Sequence, residues 1–473
     1  MGLGIFDTAS AFDTFFEHIL ISLPLVRPKV IYRRGEYFSG ERMSPAIKWL
    51  KDLIPPKLAS ELEPPALSIE VARAPSSSLC LLCKGGRMLC GKLRCPIIAK
   101  AQSLARCSAR IESERIEGST PPGVYVGPMV PPYFGDTSIL DEPELWVGKT
   151  IDEIIDYRFS LVRGKVRASV FDAPSGEGTL GLLQELAMST SPIDSEAVFA
   201  RRPRGVITLS EDTPPFGPSA PLKSFRTAEV KVDRRIEKAF YDRDLRATEA
   251  VVDLYSEGVS VTKIQRAFSL GMFGVRSRRR LVPTRWSITA VDSILSQALI
   301  DEVKRYDTID EYRVYSFENL DNLYVAILMP ERWSFEWIEC WFPGTTWNPD
   351  VGASPAMMGD HEYYWGRTTY PDVGGCYYAC RLAIAERLSG ERRQASALVL
   401  REIHPGYILP VGVWNVRESV RAMLRAEPKK FEDLQAALNY ACSKLTVPLR
   451  RWIESSELLK RALFQRKITE FSP

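Results

Sequence analysis

Four cysteines within sixteen residues, Cys80-x2-Cys83-x6-Cys90-x4-Cys95, constrain this chain more than any other feature. Zinc takes four thiolates tetrahedrally, and the x2 spacing lets one knuckle present two sulfurs to a single ion. Gly85, Gly86 and Gly91 supply the backbone freedom that chelating loops need. Lys84, Arg87, Lys92 and Arg94 offset the negative charge of a four-thiolate centre. We therefore expect Cys80, Cys83, Cys90 and Cys95 to bind Zn(2+) in a structural site. Four thiolates suit an iron–sulfur cluster as well, so the ligands are better specified than the metal. A closed site of this kind has no open position for chemistry and holds a region in shape.

The remaining cysteines do not extend a disulfide framework. Nine in a chain of 473 residues is an odd number, which points away from a secreted, disulfide-built protein. That length suits two or three domains with cores of their own, so the metal would stabilise a local module and not the whole. The 62 basic and 59 acidic residues leave a net charge of +3. Nucleic-acid binding thus cannot be argued from bulk charge, only from local clusters. The apolar N-terminal stretch is interrupted by Asp7, Asp13, Glu17 and His18. It is too broken for a membrane span and reads as an amphipathic helix. We expect a cytoplasmic protein without a membrane partner. Five Asn and seven Gln are few for this length, as in proteins from hot environments.

Along the chain, proline pairs at 55–56, 64–65, 121–122 and 131–132 mark breaks. GKVRASVF (164–171) alternates like a strand, whereas 118–143 reads as loop. One charged helix is expected over 234–257, and another over 284–306 beginning at Thr284. YRVYSF, LYVAIL and FEWIECWF, within 311–345, read as strands, and helices are expected at 376–389, 417–426, 431–444 and 450–464. The pattern predicts a multi-domain α+β protein with a small four-cysteine zinc-binding module near the N-terminus and a mixed helix/strand body. The predicted divisions are an N-terminal helical segment (1–75), the zinc module (76–110), a central region (111–310), a C-terminal α+β region (311–455) and a tail (456–473).

Several blocks resemble one known family. LCLLCKGGRMLCGKLRCP, KIQRAFSLGMFG with RRRLVPTRWSITAVDS, GGCYYACRLAIAERL with RRQASALVLREI, and VGVWNVRESVR are similar to the archaeal Nre family. The resemblance implies a role in DNA damage repair and binding to the sliding clamp PCNA. It implies a process and leaves the reaction open. In the tail, Gln465-x-x-Ile468-x-x-Phe471 has the spacing of a clamp-binding peptide. In such a motif a 3₁₀ turn puts the aliphatic and aromatic anchors on one face, where they fill an apolar pocket. Ser472 stands where the fuller pattern has a second aromatic, which weakens binding by one anchor. The same residues also suit the end of an amphipathic helix.

The sharpest basic cluster is Arg276, Arg278, Arg279, Arg280 and Arg285, five arginines in ten residues and suited to phosphate contacts. It follows LYSEGVSVTKIQRAFSLGMFG (254–274), which has helix-turn-helix character, with Ser260 as a cap and Gly271 at a turn. Phe273 and Trp286 are candidates to stack on unpaired bases. Gly176-x-Gly178-x-x-Gly181 matches a phosphate-loop pattern but lacks the βαβ continuation, so a plain loop is favoured. Asp360, His361, Glu362, Glu402 and His404 offer a second functional class, a metal-dependent repair nuclease. Cys376 and Cys380 share a helix face, as core packing requires. Whether the protein is an enzyme stays open at this stage.

Overall fold

The computed structural model describes residues 108–109, 115–116, 123–131, 136–203, 213–345, 348, 352–407 and 410–464. Cys80, Cys83, Cys90 and Cys95, and the tail residues Gln465, Ile468 and Phe471, lie outside the described residues. The first strands are β1 (Ser108–Ala109), β2 (Arg115–Ile116), β3 (Gly123–Val126) and β4 (Pro128–Val130). Helix α1 (Ile151–Ser160), β5 (Val162–Ser169), α2 (Gly178–Ala187), β6 (Ser195–Phe199) and β7 (Ser219–Thr227) follow. These strands form a seven-stranded mixed sheet in which β5 pairs with β3, β4 and β7. Strands β3 and β4 lie inside the proline-punctuated stretch expected to be loop. Their prolines sit between and at the ends of very short strands, where a missing N–H costs little pairing.

Next come α3 (Arg234–Tyr241), α4 (Ala247–Ser256), α5 (Val261–Ser269) and α6 (Thr284–Val303). The single charged helix expected over 234–257 is thus two. Asp242 breaks it, because its Oδ1 accepts from the N–H groups of Asp244 and Leu245 at 3.0 and 2.9 Å. That Asx turn offers the backbone an alternative to the helix.

A second, six-stranded sheet contains β8 (Tyr312–Asn319), β9 (Asn322–Met329), β10 (Ser334–Trp341), β11 (Ala356–Glu362), β12 (Ser396–Ile403) and β13 (Lys429–Phe431). The order is β11-β10-β12-β9-β8-β13, with β10 and β12 parallel and the other pairs antiparallel. Every residue of β9, β10 and β12 is buried. Burial on both faces explains why these strands read as near-continuous apolar runs. On one face Tyr324, Ala326, Phe335, Trp337, Ala397 and Val399 meet α6, α7 (Gly375–Glu391) and α8 (Trp414–Arg425). On the other, Val325, Ile327, Ile338, Leu398 and Leu400 meet α9 (Leu434–Cys442), α10 (Leu449–Ser455) and α11 (Glu457–Phe464). This mixed helix and strand body is α+β in class.

Residues 450–464, expected as one helix, break at Ser456. The carboxylate of Glu336 on β10 accepts from the Ser456 hydroxyl and from the N–H groups of Glu457 and Leu458, at 2.8 and 3.0 Å for the latter two. A buried acid therefore satisfies the first donors of α11 and complements its dipole. Cys340, Cys380 and Cys442 are free thiols, and Cys380 lies in the core between the sheet and its helices. Among the described residues, no helix is long and apolar enough to cross a membrane.

Five helices are joined by buried charge. Arg417 on α8 donates to both oxygens of Asp292 on α6 at 2.9 and 3.0 Å, with the two residues 1% and 0% exposed. Gln265 on α5 donates to Asp292 at 2.9 Å. Arg417 also meets Glu418 at 3.1 Å, and Arg421 bridges Glu418 to Glu386 on α7. The Tyr255 hydroxyl on α4 closes the network onto Glu386 at 2.7 Å. Replacing Arg417 with Met should strand Asp292 without its partner and cost about 3–5 kcal/mol of stability. Urea unfolding followed by far-UV circular dichroism measures this, and an unchanged midpoint would show that the pair is not structural.

Candidate nucleic-acid surface

The arginine cluster occupies the connection from α5 to α6 and the first turn of α6, with a 3₁₀ turn at Arg276–Arg278. Backbone bonds pin this connection on both sides. Leu281 N–H donates to Val170 O at 2.9 Å, Val282 to Ser269 O at 2.8 Å and Arg276 to Arg243 O at 3.0 Å. Gly271 opens it with φ +61°, and a Cβ there would stand 2.4 Å from Arg280 O and 2.6 Å from the Ala173 side chain. Only glycine allows that approach.

The five arginines divide into two kinds. Arg276, Arg278 and Arg285 are exposed and Arg280 is half-buried. Arg279 is 5% exposed and donates to Gly274 O, Phe240 O and Asp242 O at 2.8, 2.7 and 2.5 Å. Its guanidinium also lies over the Phe240 ring, 5.6 Å from the centroid. It satisfies the open carbonyls at the end of α3 and anchors the segment, so it is not presented to a ligand. Arg285 lies 5.5 Å from the half-buried Trp286 ring. Phe273 is 4% exposed and belongs to the core, so it cannot serve as a stacking platform.

The helix-turn-helix expectation fails for a reading element. Helices α4 and α5 do flank a turn, capped by Ser260, whose Oγ accepts from Lys263 N–H at 3.4 Å. A recognition helix must show one face to the groove. Seven of the nine residues of α5 are buried, including Gln265, which is bound to Asp292. The Gly176–Gly181 stretch passes from a short turn into the first turn of α2, with Gly176 and Gly178 at φ +61° and +58°. Arg276 reaches its edge, donating to Pro174 O at 3.4 Å. Sequence separation hid this neighbourhood of glycine loop and arginine cluster.

Asp360, His361, Glu362, Glu402 and His404 do not converge. The register of β11 on β10 sets Asp360 and Glu362 opposite Trp337 and Phe335, on the face covered by α6–α8. His361 stands opposite Glu336, on the reverse face, and Glu402 alternates with Leu398 and Leu400 on that same face. Each acid already has partners. Arg367 and the Asp372 N–H bind Asp360 at 2.7 and 2.9 Å, and they hold its pKa below the usual value although burial pushes it up. Arg381 and the Trp333 indole N–H bind Glu362 at 2.7 and 3.1 Å. Glu402 accepts from Thr446 and Val447 N–H at 2.9 and 2.7 Å, and from His404 Nε2 at 3.4 Å. Among the described residues no group of three or more His, Cys, Asp or Glu is arranged to hold a metal ion.

A model of the family described as archaeal Nre, N-terminal, matches residues 89–348, and one described as archaeal Nre, C-terminal, matches 362–471. The chain is 43% identical over 403 residues to DNA repair protein NreB of Archaeoglobus fulgidus, covering 83% of this chain and 99% of that protein. It is 36% identical over 379 residues to DNA repair protein NreA of the same organism, covering 77% and 93%. To DNA repair protein NreA of Haloferax volcanii it is 34% identical over 362 residues, covering 73% and 86%. The chain belongs to the archaeal Nre family, the family of those DNA repair proteins. No solved structure matches it.

Two measurements check these assignments. Arg279→Ala should remove three hydrogen bonds to partly buried carbonyls and lower stability by about 1–3 kcal/mol, whereas Arg285→Ala should leave the unfolding midpoint unchanged. His404 has its pKa raised, first by donating to Glu402 and against the effect of burial. Its contribution to stability is therefore full below the ordinary imidazole pKa of about 6.5 and is lost as pH rises through the folded value. Urea midpoints taken across pH 5.5–8.5 should fall less steeply for His404→Gln than for the parent over that window.

Proposed function

We propose that this protein is a DNA damage repair factor that binds DNA and docks on the PCNA sliding clamp. The observation that carries the DNA reading is the arginine segment itself. Arg276, Arg278, Arg280 and Arg285 lie at or near the surface, on a connection held rigid by buried Arg279. A guanidinium presents a planar fork of donors to a phosphate, and a pinned backbone limits the freedom lost on binding. Clamp docking rests on Gln465, Ile468 and Phe471, which follow directly on α11. The Cys80, Cys83, Cys90 and Cys95 spacing supports a Zn(2+) module on the N-terminal side of the same chain. A binding factor accounts for the site better than a nuclease, because the acids proposed for cleavage are bound to arginines and backbone N–H groups on opposite faces of a sheet.

Each part has its own test. Arg276→Ala, Arg278→Ala and Arg285→Ala combined should weaken DNA binding and reduce the salt slope by roughly 2–3 in log–log terms, about one for each phosphate no longer bound. Unchanged affinity and slope would remove the arginine surface as the interface. Deletion of residues 465–473 should abolish capture by immobilised PCNA and leave the circular dichroism spectrum of the body as it was; retained capture would dismiss the tail. Metal analysis of the purified protein should find about one zinc per chain, lost on Cys80→Ser with Cys83→Ser. Iron together with visible absorbance would assign the four thiolates to a cluster instead.

A further inference from the structure

The arginine cluster is bracketed by two exposed aromatic rings from distant parts of the chain. Phe171 lies on the turn after β5 and is 50% exposed, and Arg280 lies over its ring at 4.7 Å from the centroid. Tyr241, the last residue of α3, is 68% exposed and packs edge-on against Phe240 at 5.2 Å. Phe240 is the ring beneath Arg279, whose guanidinium also holds Asp242 O. Arg276 ties the two neighbourhoods together: its side chain donates to Pro174 O at 3.4 Å, three positions after Phe171, and its N–H donates to Arg243 O at 3.0 Å, two positions after Tyr241.

We propose that this surface binds single-stranded DNA, with Phe171 and Tyr241 each stacking an unpaired base and the neighbouring arginines contacting the phosphates. The proposal rests on the DNA-binding reading above and adds the strand state that the surface recognises. A duplex keeps its bases stacked on each other, so exposed rings gain nothing from it; a single strand offers a free π-face at every nucleotide. One face of Phe171 is already fixed by a guanidinium, which also orients the ring and adds a cation–π contribution to whatever stacks nearby. Lone exposed hydrophobics are ordinary on a protein surface. Two that flank the densest arginine segment of the chain are not explained by that alone. The neighbouring acids do not oppose the strand evenly. Asp172 accepts from the Ser169 N–H at 2.7 Å and Asp242 from the N–H groups of Asp244 and Leu245, while Glu177, six positions after Phe171 in sequence, is exposed.

The test uses the full chain and fluorescence anisotropy with a labelled oligo-dT single strand and a mixed-sequence duplex of equal length, over a range of salt. Phe171→Ala and Tyr241→Ala should each weaken single-strand binding about tenfold, the loss of one base–aromatic stack, with duplex affinity and salt slope unchanged. Phe171→Trp and Tyr241→Phe should retain single-strand affinity, which separates stacking from a general disturbance. Arg276→Ala with Arg278→Ala should weaken both substrates and flatten the slope. Alanine variants that bind single strands like the parent, while the arginine variant loses binding, overturn the stacking proposal and leave the DNA reading intact. An arginine variant indistinguishable from the parent on both substrates overturns the two together.

Discussion

The ion pair between Arg417 and Asp292, in which one guanidinium nitrogen donates to both carboxylate oxygens, is the contact on which the arrangement of the helices depends. Both groups are withdrawn from water. A buried pair gains little net energy over a well-packed apolar substitute, but a buried charge without its partner is strongly unfavourable. The consequence is geometric. Helices α5, α6, α7 and α8 must meet in the one arrangement that brings Gln265, Asp292, Glu386, Glu418, Arg417 and Arg421 within hydrogen-bond reach. Arg401 with Glu339 at 2.8 Å, and Arg381 with Glu362 at 2.7 Å, impose the same demand on strands β10, β11 and β12 and on α7.

That fixed core explains why the arginine segment can act as a rigid surface. It lies between α5 and α6, both held through Asp292, and its own backbone is tied to Val170, Ser269 and Arg243. The protein thus uses arginine in two ways. Guanidinium groups that are enclosed, such as Arg417, Arg401 and Arg279, fix helices and carbonyls. Those on the rim, Arg276, Arg278 and Arg285, stay exposed on the segment that the enclosed ones hold in place.

Much of the fold was legible because apolar patterning and strand propensity agreed. The runs at 311–345 became β8, β9 and β10, and the helices around 284, 376 and 417 appear near the expected positions. What was not legible depended on side chains acting across long separations. The break at Asp242 comes from its own Asx turn, and the break at Ser456 comes from Glu336, 120 residues away. The five arginines look equivalent in sequence because burial of Arg279 is decided by the carbonyls of α3. The acid–histidine group is plausible in sequence because neighbours along a strand resemble neighbours in space. Period-two alternation instead sends Asp360 and His361 to opposite faces. Phe171 carries no sequence signal, since it stands 109 positions before Arg280. The blocks that carried the family resemblance contain Asp292, Arg381, Glu386, Arg401, Arg417 and Glu418, members of the buried ion pairs. They were recognisable as blocks before their chemistry was.

The capping of α11 has a further consequence for the tail. Glu336 is buried on the central strand β10, and its carboxylate holds Ser456, Glu457 and Leu458 at the start of the helix. Leu458 and Leu459 then bury against the sheet. The helix therefore leaves the core at a defined point, and Phe464 ends it at the surface, 72% exposed. Phe471 stands only seven positions beyond that anchor, a reach of at most about 25 Å when fully extended. A clamp gripping Ile468 and Phe471 would thus be held close to the body, not at the end of a long tether. Short linkage raises the effective concentration of a second contact between the two partners, provided the geometry permits it. A missing second aromatic at Ser472 is then a loss that proximity can offset, because the motif would not have to hold the clamp by its anchors alone.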